Sequence, residues 1–216
     1  MNKALSMIFA LAAVAGFSGA ASAQDAKAGE KKAAMCIGCH GIPGYQASFP
    51  EIHKVPMISG QSGKYIVAAL NAYKKGERKH PTMRGIAASL TDQDMADLGA
   101  FYETHGGPAK NADAPAPTSP AQVAELLKKG NCASCHGENL NKPIDPSYPK
   151  LAGQHADYLY VALKAYQTEN NSQVGRANAI MAGMAKPFSH AELKLLANYI
   201  ASLPSDLKTV PESRFR

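Results

Sequence analysis

Two short segments hold every cysteine of the chain, "CIGCHG" from Cys36 and "CASCHG" from Cys132, ninety-six residues apart. In each, sulfurs stand at i and i+3 and an imidazole at i+4, which a helical turn places on one face. Two thiols at that spacing can add across the two vinyl groups of a haem, and the adjoining His40 or His136 then reaches the iron from one side. Other uses of four cysteines fit less well. One zinc site of four thiolates leaves both histidines without a role. A thioredoxin-like redox pair needs a preceding strand and a βαβ context that the sequence lacks. Two disulfides do not explain a histidine at the same position in both segments. The reading is therefore covalent haem c on Cys36 and Cys39, and a second on Cys132 and Cys135.

The far side of each iron takes a second ligand or stays open for chemistry. Met83 and Met181 match between the two halves of the chain, and each follows its histidine by 40-odd residues. A thioether is a soft ligand that favours ferrous iron, and Met/His ligation raises the potential. Met184 competes with Met181, but its counterpart is Ile86, which cannot ligate. His80 competes with Met83, but its counterpart is Asn178. Met35, Met57 and Met95 read as core filler. His53, His105, His155 and His190 have no counterparts and read as surface or capping residues. Gln61 with Gln154, and Tyr65 with Tyr158, do repeat, and either propionate contact or helix packing would account for them.

These residues need a scaffold, and the chain supplies it twice. Pro56, Gly60, Gln61, Tyr65, Leu70 and Tyr73 match Pro149, Gly153, Gln154, Tyr158, Leu163 and Tyr166 at an offset of 93, and the segment from Met83 matches that from Met181 at 98. This is a tandem duplication of one small domain. Each copy is expected to be all-α, with about three helices. The second copy's first helix is expected to open with Ser119 as N-cap and Pro120 at its first position. The middle helices carry Tyr65, Ala69, Tyr73 and Tyr158, Ala162, Tyr166 on one face. The last helices open at Thr91 and Ser189, the second with a full capping box to Glu192. The methionines fall between, in segments of weak helical character. No stretch alternates like a sheet. A domain with so few helices and no Trp has a thin core, which a large flat apolar group would fill.

Residues 1–23 combine Lys3, an apolar run from Ala4 to Phe17 and Ala21-Ser22-Ala23, the pattern of a secretory signal peptide cleaved before Gln24. The expected divisions are 24–105 for the first cytochrome-like domain, 106–118 for a Pro/Ala-rich linker and 119–216 for the second. The formal charge of +6 is spread over both halves, unlike the one-sided basic face of a nucleic-acid protein. Lys74, Lys75, Arg78 and Lys79 form the densest basic run and a candidate docking patch for an acidic redox partner.

The doubled Cys-x-x-Cys-His, "P-x-x-x-G-Q" in each half and "M-x-G-I/M-A" before each last helix resemble the dihaem cytochrome c4 family across essentially the whole mature chain. The resemblance implies two tandem class I cytochrome c domains related by a pseudo-twofold, with haem propionate edges facing each other across the interface. It implies His40, Met83, His136 and Met181 as axial ligands and a periplasmic electron carrier, not an enzyme, attached to the membrane at most peripherally. A bc1-type donor and a terminal oxidase are the implied partners. A cytochrome subunit of a periplasmic dehydrogenase is the alternative, and a dihaem peroxidase a weaker one, since no residue has a clear distal catalytic role. The connection "GIPGYQASFPEIHKVP" after the first motif is longer than the pattern and is expected to alter access to that haem.

Overall fold

The computed structural model describes residues 24–109 and 114–211; the expected signal peptide lies outside them. The helices form two groups. The first comprises α1 (Ala26–Lys32), α2 (Ala34–His40), α3 (Gly63–Lys74), α4 (Pro81–Ala88) and α5 (Asp92–Thr104). The second comprises α6 (Ala121–Lys129), α7 (Ala133–His136), α8 (Ala156–Gln167), α9 (Ala179–Ala185) and α10 (His190–Ala201). Four two-residue strands accompany them: β1 (Gln46–Ala47), β2 (His53–Lys54), β3 (Arg78–Lys79) and β4 (Gly175–Arg176).

Each group has its own core. Ile66, Leu70, Met95 and Leu98 are buried in the first, and Leu159, Leu193, Leu196 and Ile200 in the second. The middle and last helices supply most of these residues, as their periodicity predicts. In the first group α1 crosses α5 so closely that a Cβ on Gly29 would lie 2.1 Å from the Asp97 carbonyl oxygen. Asp25 starts α1 by accepting the Lys27 and Ala28 N–H groups, and Asp97 accepts from the Asp25 N–H, the Lys32 ammonium and the Gln93 amide.

Several local expectations are corrected. The methionine segments are helices, because His80 and Asn178 cap them through Nδ1 and Oδ1 and Pro81 opens α4. Among the described residues each half has five helices, not three. Pro120 adopts an extended backbone, so α6 starts at Ala121 with no side-chain cap from Ser119. Both last helices carry complete capping boxes, because Asp94 reaches back to Thr91 as Glu192 does to Ser189. The short strands arise where loops meet and not from alternating hydrophobicity. Met95 is core as expected, but Met35 is exposed.

The two groups pack along a seam with approximate twofold symmetry. Strand β3 pairs antiparallel with β4, Arg78 opposite Arg176. The long connection after the first motif folds into the β1–β2 hairpin and lies on the other group's α8: the Lys54 N–H donates to Asp157 (3.0 Å) and Lys164 pairs with Glu51 (2.7 Å). His53, expected at the surface, is buried there, its ring 6.2 Å from that of Tyr158. The C-terminal tail crosses back, the Lys208 N–H donating to the Ser59 carbonyl. It runs so close to Gly60, at φ +83°, that a side chain there would strike the Asp206 carbonyl.

Candidate haem-binding sites

The last residues of α2 and α7 are His40 and His136. His40 Nδ1 lies 2.8 Å from the Pro56 carbonyl oxygen, and His136 Nδ1 lies 2.9 Å from that of Pro149. A carbonyl can only accept, so each Nδ1 carries the hydrogen and each Nε2 keeps its lone pair. Burial also holds both imidazoles below the ordinary histidine value, against the backbone hydrogen bond that favours the cation. Two neutral histidines with one tautomer fixed are prepared as metal ligands through Nε2.

The thiols stand on the same turns. Burial pushes the Cys36 thiol up to about 11, against a bond from Tyr102, and burial raises Cys132 as well. All four cysteines are free. Raised by burial, the Cys36 and Cys132 thiols are poor redox nucleophiles, which suits a structural attachment better than thiol–disulfide exchange. Among the described residues no three His, Cys, Asp or Glu side chains converge as an all-protein metal site. The donors instead suit an iron that arrives with four equatorial nitrogens and needs only axial partners.

Met83 and Met181 occupy the same position, third in α4 and α9. The Met83 N–H donates to His80 Nδ1 (3.4 Å) and the Met181 N–H to Asn178 Oδ1 (2.9 Å). Met83 packs against the first core. Met184, one turn beyond Met181, is 44% exposed. His80 is the helix cap in front of Met83, the role Asn178 fills in the other copy.

The repeated glutamines bond across the seam, a role not expected from the sequence. Gln61 accepts from the Lys150 N–H (2.9 Å) and donates to the Lys150 carbonyl (3.0 Å). Gln154 does the same to Met57, at 3.0 and 2.9 Å. Both amides, nearly fully buried, pair with backbone of the opposite domain. Sequence reasoning missed this because each partner lies about 90 residues away; the available signal was that Met57 and Lys150 themselves match at the 93-residue offset.

One member of the basic run is not at the surface. Arg78 turns inward with Arg176. Each donates to a tyrosine hydroxyl at 3.0 Å, Arg78 to Tyr65 and Arg176 to Tyr158. Each also lies over two rings, Tyr65 and Tyr73 for the first, Tyr158 and Tyr166 for the second. Among the described residues neither guanidinium has a carboxylate partner. Lys74 bonds the Leu90 carbonyl and Lys79 the Asn171 carbonyl across the seam, both at 2.5 Å. Lys74, Lys75 and Lys79 stay exposed, so of the four basic residues read from sequence only Arg78 is drawn off the surface. Two adjacent cations shielded from water call for anions, and haem propionates are carboxylates of the right kind. Fixed histidines, paired thiols, matched methionines and an unbalanced pair of arginines together fit a haem in each half.

Comparison with known proteins agrees. The family model described as Cytochrome c matches residues 26–105 and again 120–204. Cytochrome c4 of Stutzerimonas stutzeri is 30% identical over 94% of this chain and all of that protein. The solved structure of Acidithiobacillus ferrooxidans cytochrome c4 superposes with a TM-score of 0.61 at 25% identity, covering 79% of this chain and 99% of that one. A Stutzerimonas stutzeri protein named thiosulfate dehydrogenase electron acceptor is 29% identical over 81% of this chain and 82% of its own length.

Proposed function

The chain belongs to the cytochrome c4 family, a dihaem electron-transfer protein and not an enzyme, and on that premise we propose how its own residues hold the haems and where it works. Cys36 and Cys39 carry the first haem c by thioether bonds, and Cys132 and Cys135 the second. His40 and His136 would hold the irons through Nε2, and Met83 and Met181 through their thioether sulfurs. Arg78 with Tyr65, and Arg176 with Tyr158, take the propionates along the seam. Bound there, each haem supplies a one-electron ferric/ferrous couple. The protein's part is to keep both iron positions filled, so that no substrate reaches the metal, and to hold the ligands still as the charge changes. The observation that carries this reading is the repeated lock of His40 Nδ1 on the Pro56 carbonyl and His136 Nδ1 on the Pro149 carbonyl, because a structural histidine would not need one nitrogen left bare in both copies.

The place of work is the periplasm, after removal of residues 1–23. Among the described residues no helix is long and apolar enough to cross a membrane, in keeping with contact at most peripheral. Intact mass of the mature protein after denaturation tests the attachment: a chain from Gln24 plus two haems is expected, and a bare or single-haem mass would overturn it. For partners, a bc1-type complex as donor and a terminal oxidase as acceptor is the first reading. The relative named as a thiosulfate dehydrogenase electron acceptor favours a second, in which a periplasmic dehydrogenase is the donor. Co-purification from native membranes separates them, since the first predicts recovery with respiratory complexes and the second with a soluble dehydrogenase.

A further inference from the structure

We infer that each domain sets the axial histidine of the other, through Gln61 and Gln154. The peptide group joining Pro56 to Met57 makes two bonds. Its oxygen accepts from His40 Nδ1, and its N–H donates to Gln154 Oε1 in the second domain. The peptide group joining Pro149 to Lys150 repeats this: its oxygen accepts from His136 Nδ1, and its N–H donates to Gln61 Oε1 in the first domain. Each glutamine Nε2 also donates to the next carbonyl, that of Met57 or Lys150, so the peptide plane is gripped on both sides.

Bonds in series polarise one another. An N–H that donates pushes charge onto its own carbonyl oxygen, and that oxygen then holds the imidazole N–H more firmly. A firmer bond at Nδ1 makes Nε2 a more basic ligand, which favours ferric iron. Gln154 is therefore a positioning residue for the first domain's His40, although it belongs to the second, and Gln61 is one for His136. The repeat makes the arrangement reciprocal. Neither glutamine touches the histidine it governs, and neither governs the histidine of its own domain. The inference rests on His40 and His136 being the axial ligands proposed above.

The test uses the two-haem protein with Gln154→Leu, Gln61→Leu and, as a general weakening of the seam, Lys164→Gln. Two quantities are read: the reduction potential of each haem, and solvent exchange of each histidine Nδ1–H in the reduced, ¹⁵N-histidine-labelled protein. Gln154→Leu is expected to speed exchange at His40 and raise the first haem's potential, leaving His136 and the second haem unmoved. Gln61→Leu is expected to do the reverse, and Lys164→Gln neither. A shift confined to the substituted domain, or an equal shift of both haems, would overturn the crossed coupling. So would a Lys164→Gln response of the same size. If His40 and His136 lack haem ring-current shifts in the unsubstituted protein, the ligand assignment itself falls and the coupling with it. Normal shifts without a cross-domain response overturn the coupling alone.

Discussion

The most specific chemistry in the chain sits on single atoms, and the duplication offers a control for each. His40 and His136 each lean on a proline carbonyl, and Met83 and Met181 each stand third in a capped helix. Replacing either methionine by Leu should remove about half of the weak long-wavelength sulfur-to-iron absorption of the oxidised protein and lower that haem's potential, because the thioether favours ferrous iron. Met184→Leu should leave the band intact, since that side chain is largely exposed. If Met184→Leu abolishes half the band and Met181→Leu does not, the proposed assignment of Met181 as ligand is wrong. The two Cys-x-x-Cys-His motifs were legible because attachment chemistry fixes their spacing, and the choice of Met83 over His80 rests on the repeat. The glutamines and Arg78 were visible only as a repeat and a charge. The glutamines' partners lie in the other half of the chain, and the inward turn of Arg78 onto Tyr65 and Tyr73 comes with its strand pairing to Arg176; no local pattern encodes either.

Among the elements, the crossing of α1 over α5 carries a buried carboxylate, Asp97, where the second domain has Leu195. Gly29→Ala puts a methyl group into the Asp97 backbone and should cost the first domain about 1–3 kcal/mol, as overpacking does, while the second domain keeps its stability; thermal unfolding followed by domain-resolved NMR would check this. Asp97 at the same crossing is nearly fully buried. Burial alone would raise its carboxyl, but the Asp25 N–H, Lys32 and Gln93 outweigh it and hold the group below the usual range. A carboxyl depressed in the folded state stabilises above its unfolded value, and that stability is lost as pH falls from about 4 through the folded value. The cap carboxylates Asp94 and Glu192 are depressed in both domains, but the position matching Asp97 is Leu195. Acid is therefore expected to loosen the first domain before the second, and Asp97→Asn should shrink that difference at a cost of about 1.5–3 kcal/mol at neutral pH. Simultaneous loss of both domains' signals in an acid titration would count against it. The middle and last helices were legible from one apolar face and a cap. The helices around the methionines were not, because they are short and owe their start to a histidine or asparagine cap that pattern alone reads as loop.

At the scale of the molecule the two domains are joined by a seam built from matched parts. Its symmetric elements are the β3–β4 ladder and the glutamine pairs, beside which each domain has its own Arg–Tyr contact. Its asymmetric elements are the hairpin on α8 and the C-terminal tail on Ser59. Two kinds of coupling follow, and they differ in reach. A hydrogen bond acts on the one histidine at the end of its chain. A charge acts on everything near it, and in a half-buried seam salt screens it weakly. Arg78 and Arg176 face each other in the ladder, so removing one positive charge should stabilise the ferric state at both haems. Arg78→Gln, which keeps a donor for Tyr65, is expected to lower both potentials by about 1–2 kcal/mol of redox free energy at an effective dielectric constant near 20, with little dependence on ionic strength. Spectroelectrochemistry across a salt series measures this directly. The contrast with the glutamine variants is the decisive point: one class of substitution should move the pair together and the other should split it. An Arg78→Gln protein whose two potentials stay put would mean that the seam arginines hold the domains together without biasing the irons.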